Sequence, residues 1–403
     1  MGALFSFLYY YLMKKMLLPL GLLALSLVAC YSPEPFEAEN SDGSSNKNSS
    51  SEMGKIFSVN GGKQTCNPSA SQDTVNYPAS MLWLNFSGTL NVNAADSNFT
   101  VKKVLQHDRL TVSDTANNVK WYLMRDTSAG ECQFQDPEWS THPNFIVALR
   151  GYDVDGSSAC ENLDYGIFAV RMSDKKKFWF KKTGIPEEAT PHLYVGEPDS
   201  ESKKEEDDST IKGFFGTDSV MLTYVDENQN IQVVDYRSDS SKPKTYKLKK
   251  PSNRKNWKID SPLISPLYAW YVVYNMYENS TTWESYLQYI DEKSEPFKIE
   301  RTKDMMSEPA QPHWYYSGSS FYVVWSEFPA GSQMLNKNDL TKSSVQGGSV
   351  GRTVKRSLYI DPDTVMWYSD NVEIAPVPMT GGMTPDGKFL ATGTNPAYLL
   401  KLP

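Results

Sequence analysis

The segment Gly382-Met383-Thr384-Pro385-Asp386-Gly387-Lys388-Phe389-Leu390-Ala391-Thr392 places a turn signal directly before a short apolar run. Proline fixes its own φ near the value that the second position of a β-turn needs, and glycine accepts a positive φ that most other residues avoid. The segment therefore predicts a tight turn, centred on Pro385 and Gly387, that joins two antiparallel strands.

Two other parts of the chain carry a related lead-in, with proline and an aromatic residue before a strand. Asp136-Pro137-Glu138-Trp139 stands before the apolar run 144–149, and Gln311-Pro312-His313-Trp314 stands before the run 321–326. Each unit then continues into a third apolar run, such as 165–170 or 397–402. This recurrence predicts a structural repeat.

Between residues 54 and 403 the sequence has little helical periodicity. Short runs rich in Tyr, Val, Phe and Trp are bounded by clusters of Gly, Pro, Asn, Asp and Ser, which is typical of strands and turns. The sequence therefore predicts an all-β chain. The clearest predicted strands are residues 144–149, 165–172, 177–181, 220–225, 231–236, 269–274, 285–290, 320–325, 357–360 and 388–391.

The unit built on Thr384-Pro385-Asp386-Gly387-Lys388 resembles the repeat of TolB-like (WD40-like) β-propellers, which implies blades of four strands each around a channel. The marker residues of the units are Trp83, Trp139, Leu193, Leu263, Trp314 and Met383. Their spacings of 56, 54, 70, 51 and 69 residues give six units, with polar insertions in the two longest. We expect a six-bladed β-propeller whose ring is closed by residues 56–59 as the outer strand of the last blade. A pair of β-sandwiches is the rival architecture.

The N-terminal segment has the order of a secretory signal. Two lysines at 14 and 15 precede an apolar run that ends in Leu27-Val28-Ala29-Cys30. This ending resembles the lipobox of bacterial lipoproteins, which implies a signal peptide at 1–29 and a lipid, such as palmitate, on Cys30. Met13 is the expected natural start. A transmembrane helix is the alternative, but only the 14 residues 16–29 lack a charge, whereas about 20 are needed to span a bilayer.

The expected location is the bacterial cell envelope, with the protein anchored to the membrane through its N-terminal lipid. Tyr31 follows the cysteine where Asp retains lipoproteins of Gram-negative bacteria in the inner membrane, so the outer membrane is favoured. Residues 30–53 are rich in Ser, Asn, Pro and acidic residues and nearly free of aliphatic ones. Such a segment cannot form a core, so we expect a flexible linker before a single propeller domain at 54–403.

The net charge restricts the possible partners, and the cysteines suggest a disulfide. The whole chain has a net charge of −8, and removal of residues 1–29, which contain two lysines and no acids, makes it −10. A net negative charge disfavours nucleic acid as a partner. In an exported protein Cys132 and Cys160 are a possible disulfide, with two buried free thiols as the alternative, and Cys66 is then a free thiol or belongs to a different pairing.

No motif in the sequence predicts a catalytic residue, a cofactor or a metal site. His192 and His313 each follow a proline in their units, and we expect them to be packing residues on inner strands rather than ligands. The first functional interpretation is therefore a non-catalytic binding platform for an envelope protein or a polysaccharide. The aromatic residues Trp283, Trp367 and Tyr368 are candidates for stacking on sugar rings.

The alternative is a propeller-type glycoside hydrolase, in which a pair of carboxyl groups at the channel mouth performs the chemistry. The candidate acids are Glu138, Asp226, Glu284 and Glu327. A third possibility, the propeller of a prolyl-peptidase-like enzyme, is disfavoured because the sequence contains no hydrolase domain. Three carboxylates at one channel mouth would favour the hydrolase, whereas a mouth lined with lysine, tyrosine and amides would favour binding.

Overall fold

The computed structural model describes residues 54–403 except 98, 100–103, 156–159, 199–206, 280–281, 303–308, 319, 329–350, 361–364 and 368. Within these residues the regular structure is mostly β-strand and the named strands pair antiparallel, which confirms the predicted fold class. The strands are β1 (Ile56–Ser58), β2 (Thr65–Ala70), β3 (Ser80–Asn85), β4 (Arg109–Asp114), β5 (Val119–Met124), β6 (Glu131–Trp139), β7 (Phe145–Asp153), β8 (Leu163–Arg171), β9 (Lys177–Ile185), β10 (His192–Val195), β11 (Val220–Val225), β12 (Ile231–Asp235), β13 (Lys244–Lys247), β14 (Lys258–Ile264), β15 (Tyr271–Asn279), β16 (Thr282–Tyr289), β17 (Phe297–Lys298), β18 (Pro309–Ser317), β19 (Ser320–Glu327), β20 (Arg352–Ile360), β21 (Val365–Trp367), β22 (Val372–Ala375), β23 (Phe389–Thr392) and β24 (Tyr398–Lys401). The described helical segments are α1 (Ile211–Phe215) and two 3-10 helices, Val59–Gly62 and Thr127–Ala129.

The strands form six sheets, and five of them run outward from an inner strand in chain order. These are β2-β3-β4-β5, β6-β7-β8-β9, β10-β11-β12-β13, β14-β15-β16-β17 and β18-β19-β20-β21, with β22 also paired to β20. We number them blades 1 to 5. Blade 6 has the order β23-β24-β1, and its inner position is held by Met383, which pairs with Leu390. Inner strands of successive blades contact one another around a common channel, so the fold is a six-bladed β-propeller, as predicted.

The ring is closed by the first strand of the domain. Strand β1 pairs antiparallel with β24, and Ile56 lies opposite Leu400 while Ser58 lies opposite Tyr398. Residues from the two ends of the domain therefore share one sheet, and the chain enters the propeller at the outer edge of blade 6. This arrangement agrees with the closing strand expected at residues 56–59.

The turn of blade 6 has the geometry that its sequence predicts. The Gly387 N–H donates to the Thr384 carbonyl at 2.9 Å, and Gly387 has a φ of +71°. The Asp386 carboxylate accepts hydrogen bonds from the Thr384 hydroxyl at 2.6 Å and from the Lys388 N–H at 3.1 Å. The side chain of Asp386 thus closes the same turn that Pro385 and Gly387 shape through their backbones.

Aromatic side chains fill much of the space between blades. Between blades 2 and 3, α1 supplies Phe214 and Phe215, whose rings lie 6.0 and 4.9 Å from the ring of Phe145 on β7. Phe178 of β9 contacts the same pair at 5.4 and 5.6 Å. Aromatic rings bury a large apolar area per residue. Packing between blades therefore accounts for part of the 13% aromatic content of the chain.

One of the marker residues lies on a different strand from the others. Trp139, Leu193 and Leu263 are on inner strands, whereas Trp83 is on β3, the second strand of blade 1. The inner strand of blade 1 is β2, which the repeat pattern did not identify. The spacing of 56 residues from Trp83 to Trp139 therefore starts on the second strand of blade 1 and not on the inner strand. The reason is that β3 is more aromatic and apolar than β2. The number of six blades is unaffected.

Candidate functional site in the central channel

The inner strands of blades 1, 2, 4 and 5 each contain a β-bulge at a polar residue followed by proline, and the same dipeptide pattern directly precedes the inner strand of blade 3. In blades 1, 2, 4 and 5 the pairing register with the second strand shifts at this point. The residues before proline have φ between +40° and +51°, which non-glycine residues rarely adopt. The five dipeptides are Asn67-Pro68, Asp136-Pro137, Thr190-Pro191, Ser261-Pro262 and Gln311-Pro312. All five left-handed residues are polar, and the bulges recur at equivalent levels of the channel.

Hydrogen bonds connect the bulge residues of the first four blades, and we call Asn67, Asp136, Thr190 and Ser261 the bulge belt. The Asn67 side-chain amide donates to the Asp136 carboxylate. The Thr190 N–H donates to the other Asp136 oxygen at 3.3 Å, and the Ser261 N–H donates to the Thr190 hydroxyl at 3.1 Å. The belt therefore joins four neighbouring blades at the channel wall, and both oxygens of Asp136 are already engaged.

A second carboxyl group lies close to the belt on the same strand. The Ser69 hydroxyl of blade 1 donates to the Glu138 carboxylate of blade 2 at 2.6 Å and accepts the Trp139 N–H at 3.1 Å. Burial in the channel wall raises the pKa of Glu138 to about 8, and the hydrogen bonds only partly oppose this shift. Glu138 is thus the one candidate acid from the sequence that reaches the channel, and it is protonated at neutral pH.

Two further carboxyl groups, those of Glu187 and Asp260, lie close enough to Asp136 to act on its charge. Burial raises the pKa of Asp136 to about 7, and repulsion from Asp260 and Glu187 adds to the shift. Burial also raises the pKa of Glu187, whose carboxylate accepts a hydrogen bond from the Gln135 side chain at 3.1 Å. Asp136 comes from β6, Glu187 from the segment before β10 and Asp260 from β14. None of these three acids is predicted from the sequence as a site residue, although the repeated pairing of a polar residue with proline marks the positions of Asp136 and of Ser261 beside Asp260.

The two histidines of the inner strands are buried between blades. The His192 Nδ1 atom accepts the Ile264 N–H of blade 4 at 3.1 Å, and burial lowers the pKa of His192 to about 3. His313 places its Nδ1 atom 3.0 Å from the Gln311 carbonyl, and its ring contacts Gly382 of blade 6. Both rings hold neighbouring blades together, which agrees with the packing role expected for them.

The other three candidate acids lie away from the channel in structural ion pairs and turns. Glu327 is fully buried, is paired with Arg352 at 3.1 Å and accepts hydrogen bonds from Trp325 and Thr302. Glu284 is paired with Arg254 and Lys298. Burial acts to raise the pKa of Glu284, but the hydrogen bonds from these partners lower it to about 2. Asp226 closes the turn between β11 and β12 by accepting the Asn228 and Asn230 N–H groups.

The aromatic residues proposed for sugar stacking do not form an exposed platform. Trp283 is 5% exposed and its ring packs edge-on against Phe328. Trp367 is half-buried between Phe297 and Trp325. Tyr368 lies outside the described residues. Blade packing therefore uses the two described tryptophans.

Cys132 and Cys160 form a disulfide, with their Cα atoms 5.6 Å apart, that ties the start of β6 to the segment before β8. None of the cysteines among the described residues is a free thiol. Cys30, the expected lipid attachment site, lies outside the described part of the chain. The described residues also contain no group of three or more His, Cys, Asp or Glu side chains arranged to hold a metal ion, and no helix among them is long and apolar enough to cross a membrane.

No protein-family model and no curated relative matches the chain. Solved structures with a similar fold include the β-propeller domain of Cps50 (Swd1) from Myceliophteria thermophila, at 10% identity and a TM-score of 0.39, with 86% of this chain and 87% of that one covered. AofleA from Arthrobotrys oligospora matches at 6% identity and a TM-score of 0.44, with 86% and 84% covered. The Bacillus subtilis arabinanase Arb43A matches at 11% identity and a TM-score of 0.34, with 75% and 96% covered. These similarities are too low to bear on function.

Proposed function

We propose that the protein is a lipoprotein of the bacterial cell envelope, anchored through a lipid on Cys30, whose β-propeller is a non-catalytic binding platform for an envelope protein or a polysaccharide. The membrane contact is the N-terminal lipid, and the outer membrane is the favoured location. The linker 30–53 gives the propeller freedom to reach its partner.

The observation that supports binding over catalysis is the state of the channel carboxyl groups. A catalytic carboxyl group must have an oxygen available to the substrate. Both oxygens of Asp136 accept hydrogen bonds from neighbouring blades, and Glu138 accepts one from Ser69. These contacts use both oxygens of Asp136 and one oxygen of Glu138 to join blades, which supports a structural role for these two acids.

The anchor is tested by metabolic labelling. Cells that express the full chain or its Cys30→Ala variant are grown with a clickable fatty acid, and the membrane fraction is analysed for label and protein. We expect label on the unchanged chain only, with release of the variant from the membrane. Label on both chains, or on neither, would contradict attachment through Cys30.

A glycoside hydrolase is the second candidate, and one specific observation favours it. The charges of Glu187 and Asp260 act on Asp136, and a carboxyl group with a raised pKa is suited to act as a general acid near neutral pH. Activity on a panel of aryl glycosides and oligosaccharides tests this function. Hydrolysis that is lost in both Asp136→Asn and Glu187→Gln would establish the enzyme, whereas activity unchanged by these substitutions would indicate a contaminant.

A further inference from the structure

Positive charge is concentrated on the outer edges of blades 2 and 3, although the whole chain has a net charge of −8. Residues 237–258, which contain β13 and the segment to β14, hold nine Lys or Arg residues and one acid. Residues 171–182, which lead into β9, hold six Lys or Arg residues and one acid. Strands β9 and β13 are the outermost strands of their blades. The two basic segments therefore lie on adjacent blades at the circumference of the ring.

The arginines of these segments are engaged within the protein. Arg171 is paired with Asp174 at 2.6 Å, Arg237 with Asp235 at 2.8 Å, and Arg254 with a glutamate of blade 4 at 2.9 Å. Their charges stabilise the fold and are largely neutralised.

Four exposed lysines of the two outer strands form no ion pair in the described part of the chain, and we call Lys181, Lys182, Lys244 and Lys247 the lysine rim. The Lys181 ammonium reaches across to blade 3 and lies 5.0 Å from the centroid of the Tyr224 ring. Lys244 and Lys247 are separated by about 10 Å along the strand. The rim thus presents four lysines along two neighbouring edges, on both faces of each strand because side chains alternate, and Lys244 lies opposite Asp235 of β12.

Protection of exposed strand edges is the simplest alternative explanation, because lysine discourages pairing between edge strands of different molecules. The other outer strands of this protein contain fewer lysines. β5 and β17 contain one lysine each, and β1 and β21 contain none. Edge protection alone therefore does not account for the concentration of lysine on blades 2 and 3.

The rim lies far from the point where the chain enters the ring. The chain enters at the outer edge of blade 6, and blade 3 lies three blades away, on the opposite side of a six-bladed ring. The rim is therefore remote from the linker, and a soluble or surface polyanion can reach it.

We propose that the lysine rim binds a linear acidic polysaccharide. Ammonium groups spaced along two neighbouring edges attract a polymer with repeated carboxylates, and lysine, as a compact point charge, imposes no bidentate geometry. The ring of Tyr246, half-buried and 4.3 Å from the Lys244 ammonium, provides an apolar surface for a sugar face. This inference deepens the proposed binding function and rests on its extracytoplasmic location.

The test measures equilibrium binding of the full chain, carrying Cys30→Ala, to fluorescent alginate at low ionic strength. Replacement of the four rim lysines by glutamine should weaken binding at least tenfold, and binding should fall steeply as salt is raised. The matched control replaces four exposed lysines on the opposite side of the ring by glutamine. This control should change the affinity for alginate less than twofold. The control positions are Lys55, Lys63, Lys388 and Lys401.

Further outcomes would overturn the proposal. The first two are an absence of alginate binding and an equal loss of alginate affinity in the rim variant and the control variant. The other two are binding of polyglutamate as tight as that of alginate, and binding of phosphatidylglycerol vesicles through the rim when alginate does not bind. Replacement of the four rim lysines by arginine should retain binding, which separates loss of charge from loss of fold. The chain tested here carries Cys30→Ala, so a negative result in the fatty-acid labelling experiment does not affect the binding measurement. Likewise, an absence of alginate binding would contradict the role of the lysine rim but not the lipid anchor on Cys30.

Discussion

Replacement of Asp136 by asparagine should have a more favourable effect on stability at pH 8 than at pH 5, although the amide offers one acceptor oxygen where the carboxylate offers two. The pKa of Asp136 is raised from 3.8 to about 7, first by burial and then by the charges of Asp260 and Glu187. Between these two values the folded chain binds more protons at this site than the unfolded chain, so the free energy of unfolding falls as the pH rises. Above about pH 7 the cost of the buried charge is fully present.

The size of the effect follows from the shift. Each pKa unit corresponds to about 1.4 kcal/mol, and about two units separate pH 5 from the folded-state pKa, which gives about 2.7 kcal/mol as an upper value. The side chain of Asp136 is only half-buried, and solvent screens a partly exposed charge, which reduces the effect. We therefore expect the stabilisation by Asp136→Asn to be about 1–1.5 kcal/mol greater at pH 8 than at pH 5.

Urea unfolding of the unchanged chain and of Asp136→Asn at both pH values measures this difference. Asp239→Asn is the control, because Asp239 is exposed and the hydrogen bond from Ser241 lowers its pKa, so its removal should give no gain at pH 8. The reasoning would be refuted if Asp136→Asn had the same effect at both pH values, or if its gain were larger at pH 5.

Three further predictions concern the fold. Replacement of Cys132 and Cys160 by alanine removes a cross-link between residues 28 apart and should lower the free energy of unfolding by about 3–4 kcal/mol, measured by urea unfolding without reductant. Arg352→Met leaves the Glu327 carboxylate buried without its ion-pair partner and should cost about 3 kcal/mol in the same assay. Gly387→Ala forces a side chain into a φ of +71° and against the hydroxyl of Tyr315 and should cost about 1–3 kcal/mol, measured as a lower midpoint of thermal unfolding.

Each of these predictions has an outcome that contradicts it. Equal stability of the alanine pair and the oxidised chain would argue against a cross-link that constrains the unfolded state. An unchanged midpoint in Arg352→Met would mean that solvent reaches the carboxylate of Glu327. Gly130 has a φ of +73° with nothing near its Cβ position, so Gly130→Ala measures the backbone strain alone and should be milder than Gly387→Ala.

The features that the sequence predicted well depend on neighbouring residues. The turn at Thr384–Lys388 needs only its own proline, aspartate and glycine, and all ten predicted strands lie on strands of the structure because their composition is a local signal. The number of blades followed from the spacing of such signals. Blade 1 is the exception, since β2 reads Thr-Cys-Asn-Pro-Ser-Ala and has little of the aromatic and aliphatic character that marks the other strands.

The candidate site could not be predicted in the same way, because its residues meet only when the ring is closed. Asn67 and Asp136 are 69 residues apart, and no local pattern pairs them. Glu138 and Glu327 are alike in sequence terms, since each lies near the end of a strand that contains tryptophan, yet one lies on an inner strand and the other is buried against Arg352. The partner of a carboxyl group decides its role, and the partner comes from a different strand.

The separation of charge within the propeller also limits what net charge can predict. A net charge of −8 argues against anionic partners only if the charge is evenly spread. Here acids with raised pKa values lie in the channel, whereas the lysine rim lies at the circumference. Electrostatic interactions between exposed groups are screened beyond about 8–10 Å at ordinary ionic strength. A polymer at the rim therefore experiences mainly the nearby lysines, and the acids of the channel do not prevent its binding.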